Sequence, residues 1–98
     1  MNIVTQARRI PLTRTLRTLV QERIGGALQE FAHAIAAIRV ELRDRNGRRG
    51  GGDKRCRIQV LMVAGAPVLV QEERANVRLA IHRAASRAAC EVQSALRR

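Results

Sequence analysis

Apolar residues recur every three or four positions in two stretches of this 98-residue chain, and every second position in the stretch between them. A chain whose hydrophobic period switches from 3.6 to 2 and back must lay helices against a sheet. The first stretch carries Leu16, Leu19, Val20, Ile24, Ala27, Leu28 and Phe31, with Thr13 at the N-cap position. This spacing predicts a helix over about 13–31. Gly25 and Gly26 lie inside it and weaken it by ~1 kcal/mol each against Ala, marking a soft point or a close backbone approach. The last stretch carries Val77, Ile81, Ala84, Ala88, Val92, Ala95 and Leu96 behind Asn76, a good N-cap, and predicts a second helix.

Between the helices, Ile38, Val40 and Leu42 alternate with Arg39, Glu41 and Arg43, the pattern of a half-buried strand over 35–43. Residues 56–63 are apolar almost without interruption (Ile58, Val60, Leu61, Met62, Val63), which suits a central strand but leaves its inward face undecided. Gly65, Ala66 and Pro67 make a turn, and a third strand opens at Val68 and fades towards Glu73. A short strand within 2–10 leads the chain and is stopped by Pro11. The order β-α-β-β-β-α, with a right-handed crossover through the first helix, sets the first two strands parallel and the rest antiparallel. The expected fold is a two-layer α+β domain spanning 1–98, a four-stranded mixed sheet with both helices on one face. A flexible basic loop is expected at 46–54. Its three glycines do not make a phosphate loop, because GxxxxGK[ST] is missing and no helix follows.

Charge narrows the function. The chain carries 19 basic and 8 acidic residues, a net charge of +11, and Lys54 is its only lysine. Arginine presents a rigid fork that pairs bidentately with phosphate, and the excess is spread over the whole length. A GC-rich coding bias accounts for Arg in place of Lys, but not for so few acids. A polyanion partner, nucleic acid above all, is the direct reading. Phe31 is the sole aromatic and falls in a core stripe, so base stacking is not the device. Contact with phosphate and with the shape of folded nucleic acid remains.

Other chemistry finds little support. Cys56 and Cys90 fit no CxxC spacing and read as two free thiols of a reducing cytosol. His33 and His82 have no partner at metal-ligand spacing, so neither metal nor cofactor is expected. No apolar run approaches membrane-spanning length. The Arg- and Thr-rich start resembles a transit peptide in composition, but the same residues are needed to build the domain. No catalytic constellation is visible. His82 and Cys90 lie two helical turns apart, ~12 Å of axis, too far for a base and its nucleophile. The chain reads as a cytoplasmic, monomeric binding protein, not an enzyme, with no small-molecule substrate.

The run Leu12, Thr13, Arg14, Thr15, Leu16, Arg17, Thr18, Leu19, Val20 resembles, without a gap, the ITEALREFV pattern of the short ribosome hibernation promoting factor and ribosome-associated inhibitor A family, also called sigma-54 modulation proteins. The run from Asn76 to His82 resembles the DMYAAID that opens that family's second helix, and the resemblance covers residues 2–98. It implies a translation inhibitor that binds 16S ribosomal RNA of the small subunit, in the channel of messenger and transfer RNA. Arg17 and Arg23 match basic residues of the family's first helix, and Arg87 and Arg98 match lysines of its second. Arg78, Arg83 and Arg97 add charge where the family need not. The expected RNA-binding set is therefore Arg17, Arg23, Arg78, Arg83, Arg87, Arg97 and Arg98, with secondary contact from Arg48, Arg49, Lys54 and Arg55. Gly26, Cys90 and Ser94 stand where the family often has a basic residue, Arg78 replaces its Tyr, and His82 its second Asp. The chain ends with the second helix, so dimerising ribosomes through a second domain of its own is not expected. Two other readings are a double-stranded RNA-binding module, whose order is α-β-β-β-α without a leading strand, and a non-nucleic interaction protein.

Overall fold

The computed structural model describes residues 1–45 and 54–98. The elements run β1 (Ile3–Arg8), α1 (Arg14–Leu28), a 3-10 helix (Gln29–Ala34), β2 (Ile35–Asp44), β3 (Lys54–Met62), β4 (Val68–Arg74) and α2 (Val77–Leu96). The sheet order is β1-β2-β3-β4, with β1 parallel to β2 and both later pairs antiparallel. Both helices cover one face, as the two apolar stripes demand.

The caps are those the sequence offers. Thr13 Oγ1 accepts from the Leu16 N–H at 3.1 Å. Asn76 Oδ1 accepts from the N–H groups of Arg78 (2.8 Å) and Leu79 (3.4 Å). Each cap satisfies amide donors that have no partner within the helix. Neither helix has an acidic residue in its first turn.

The core is aliphatic. Leu16, Val20, Ile24 and Leu28 of α1 and Ile81 and Val92 of α2 meet Ile38, Val40 and Leu42 of β2 and Ile58 and Val60 of β3. Ala80, Ala84, Ala85 and Ala88 are also buried; these small side chains let α2 lie close to β3 and β4. The inward face of β3, which its apolar run left open, is Cys56, Ile58 and Val60. Register decides it, because Val40 sits opposite Ile58 and Leu42 opposite Cys56. Cys56 and Cys90 are both free thiols, one in the core and one on the surface. Burial pushes the Cys56 thiol up to about 12.

Three boundaries differ from expectation. First, α1 ends at Leu28, and Phe31 falls in the 3-10 helix, half-buried against the core rather than inside it. A 3-10 turn advances 120° per residue where an α-turn advances 100°, so the stripe loses phase after Leu28. Second, Lys54 is not loop. It opens β3 directly opposite Asp44, with Nζ 3.3 Å from Oδ2. The remainder of the expected loop, 46–53, lies outside the described residues. Third, β4 extends to Arg74, because its polar end, Glu72 and Arg74, meets partners on α2 and within the strand. Neither glycine of α1 is a forced close approach. A Cβ on Gly25 would meet Ile3 Cδ1 at an ordinary 3.5 Å, and one on Gly26 would meet nothing. Gly65, by contrast, has φ +94° in the β3–β4 turn, where other residues are strained.

Candidate nucleic-acid interface

Register fixes where the arginines stand. Arg8 pairs with Arg43, Arg43 with Arg55, and Lys54 with Arg74. The end of β1, the end of β4 and the start of β3 therefore lie at one end of the sheet. Both helices begin there and run the same way. Two helix N-termini carry partial positive charge, and nothing acidic in their first turns offsets it. Arg14 and Arg17 in α1 and Arg78 in α2 add to that potential.

All seven arginines of the expected primary set are solvent-exposed; five lie in the helices, Arg97 caps the end of α2 and Arg98 follows it. On α1, Gln21 Nε2 reaches the Ile3 carbonyl at 3.5 Å, so that flank faces β1. Arg23 lies on the opposite flank, towards α2. On α2, Arg83 and Arg97 project from the surface opposite the buried stripe, with Cys90 between them. Arg78 and His82 occupy the flank towards α1 and Arg87 the flank over β4, while Arg98 follows the end of the helix.

Arg87 differs from the others. Its Nη1 donates to Glu72 Oε2 at 2.6 Å and to the Gln71 carbonyl at 3.0 Å. Glu72 Oε1 also takes Arg74 Nη2 at 2.8 Å. The Arg87 hydrogen bond, with Arg74 adding to it, holds the Glu72 carboxyl below its ordinary value. Arg87 thus ties α2 to β4, and its charge is already engaged. Arg17, Arg23, Arg78, Arg83, Arg97 and Arg98 make no ion pair among the described residues.

The secondary set divides as well. Arg48 and Arg49 lie outside the described residues. Lys54 is held by Asp44. Arg55 Nη2 is 2.8 Å from Glu41 Oε1, on the sheet face that no helix covers. That face is basic in its own right. Besides Arg55 it presents Arg8, Arg39, Arg43 and Arg57, none of which belongs to the expected set. The alternation in β2 already displayed Arg39 and Arg43. Arg57 could not be joined to them while the inward face of β3 was undecided.

The sequence pattern of the family described as sigma 54 modulation protein / S30EA ribosomal protein matches residues 3–98. The chain belongs to this family. No curated protein sequence matches it. Among solved structures it is similar to the Protein Y N-terminal domain of Thermus thermophilus, at 27% identity and TM-score 0.75, with all of both chains covered. It also shares its fold with a ribosomal subunit interface protein from Coxiella burnetii, at 13% identity and TM-score 0.85, again over the whole of both chains. Membership makes this a ribosome-associated protein of the family's β-α-β-β-β-α architecture, and the leading parallel strand separates it from the α-β-β-β-α order of double-stranded RNA-binding domains.

Proposed function

We propose that this protein is a cytoplasmic hibernation-type inhibitor that binds the small ribosomal subunit through 16S ribosomal RNA, in the channel of messenger and transfer RNA, and acts as a monomer without catalysis. The observation that carries this reading is the family match over residues 3–98 on a chain of charge +11. The exposed, unpaired arginines of both helices supply the chemistry. Guanidinium groups on rigid helices can take phosphate oxygens bidentately without an ordering cost to the backbone. Arg17, Arg23, Arg83, Arg97 and Arg98 are the contacts proposed, with Arg78 near the shared helix N-termini. Arg87 contributes by setting how α2 sits. Without surface aromatics, recognition rests on phosphate positioning and RNA shape. The test is co-sedimentation with purified small subunits, followed by chemical footprinting of 16S ribosomal RNA. Protection clustered in the mRNA and tRNA channel is expected. Failure to co-sediment, or protection scattered over the solvent side, would remove the proposal.

A further inference from the structure

The face of the sheet opposite the helices carries arginine on its three leading strands. Reading across from β1, one row is Val4, Arg39, Gln59 and Leu69. The next is Gln6, Glu41, Arg57 and Gln71, and the third is Arg8, Arg43, Arg55 and Glu73. Its two acids are both engaged, Glu41 by Arg55 at 2.8 Å and Glu73 by Arg45 at 3.0 Å. Arg8, Arg39, Arg43 and Arg57 have no acidic partner among the described residues. Strand spacing and rise place these four charges within about 10 by 13 Å. Arg8 and Arg43 stand directly abreast, a like-charge pairing that is unfavourable unless an anion lies across it. Between the charges, Val4, Gln6, Arg39, Glu41, Arg57 and Gln59 line an open groove of about 440 Å³.

We infer that this uncovered sheet face is a second RNA-backbone surface, separate from the helix layer, with Arg39 and Arg57 at its centre and Arg8 and Arg43 at its end. The inference rests on the RNA-binding reading above and extends it: one small domain would hold RNA on both of its layers. Charge complementarity selects the occupant. Protein partners are anchored by Trp, Tyr and Arg seated in well-packed pockets; the centre of this face has no aromatic side chain, and its Arg39 and Arg57 are exposed on an open surface of one sign, which suits a polyanion. Its two well-exposed apolar side chains, Val4 and Leu69, sit on the opposite edge strands. What the centre offers is guanidinium and amide donors on a regular lattice, suited to phosphate and ribose oxygens.

The test compares the wild-type chain with the double variants Arg39→Gln/Arg57→Gln and Arg17→Gln/Arg83→Gln. Each removes two exposed, unpaired charges. Two probes are used, purified small ribosomal subunits and a naked 20-base-pair RNA duplex, with a thermal melt of each variant to confirm folding. The sheet variant is expected to melt as wild type does and to bind subunits at least tenfold more weakly. Its log–log salt slope should be shallower by about 2, one for each phosphate that is no longer neutralised. If subunit binding fails for every protein but the sheet variant weakens duplex binding, the sheet surface stands and the ribosome reading falls. If the sheet variant binds both probes as wild type does, the face is not an RNA surface and the inference is overturned, whatever the helix variant does.

Discussion

Arg83 and Arg87 lie one turn apart on α2 and carry the same charge, yet they are expected to behave differently. Arg83 is exposed and unpaired. Arg87 is committed to Glu72 and to the Gln71 carbonyl. Arg83→Gln should leave stability unchanged and weaken ribosome binding by about 1 kcal/mol, roughly fivefold in Kd. Arg87→Gln should do the opposite. Its guanidinium is half-exposed, so the pair is worth only about 0.5–1 kcal/mol after solvent screening, and Arg74 stays on Glu72. In a domain of this size that loss corresponds to a fall of about 2–8 °C in Tm. Thermal unfolding by circular dichroism and equilibrium binding to small subunits read the two effects separately. The Glu72 carboxyl is held below its ordinary value of 4.5, so the contribution of the pair is present above that pH and is lost as pH falls through the lower, folded value. The stability gap between wild type and Arg87→Gln should therefore close in acid. If Arg87→Gln melts with wild type at neutral pH and weakens binding as much as Arg83→Gln does, the Glu72 clamp does not hold in solution and Arg87 is a free RNA contact.

Other perturbations follow from the core and the surface. Ile24→Ala, at a fully buried site, should cost about 2–5 kcal/mol in urea unfolding, whereas Phe31→Ala, on the half-buried 3-10 turn, should cost less; the reverse ranking would mean that Phe31 belongs to the core. Gly26→Ala meets open space and should raise stability by up to about 1 kcal/mol; destabilisation would show that the backbone needs glycine there. A thiol reagent should label Cys90 rapidly and Cys56 only on unfolding, since Cys56 is buried with its thiol raised to about 12; two fast thiols by mass spectrometry would contradict the packing.

The elements were legible where side chains carry a period. The alternation at Ile38, Val40 and Leu42 gave β2 and its inward face, and Thr13 and Asn76 marked both helix starts through the donors they satisfy. Phase was legible only while the backbone stayed α-helical, so Phe31 was misplaced when the chain tightened after Leu28. The inward face of β3 was left open because Leu61, Met62 and Val63 are apolar on both parities. Pairing with β2 settles it, and the alternation Cys56, Arg57, Ile58, Gln59, Val60 was the local signal that pointed the same way. The second basic face was missed with it: the alternation puts Arg57 outward, and the register sets it one row from Arg39. The helix arginines were visible as charge off an apolar stripe, but the capture of Arg87 depends on α2 lying over β4, which spacing along one helix does not reveal.

If phosphate contacts from its arginines hold the chain to the small ribosomal subunit, binding must weaken steeply as salt rises. The measurement is the affinity for purified small subunits over a series of salt concentrations. Four or more helix arginines on phosphate predict a log–log slope of about −3 or steeper, shallower by about 1 for each of Arg17, Arg23, Arg83 and Arg97 replaced by Gln. A slope near zero, or no binding at low salt, would contradict this mode of binding.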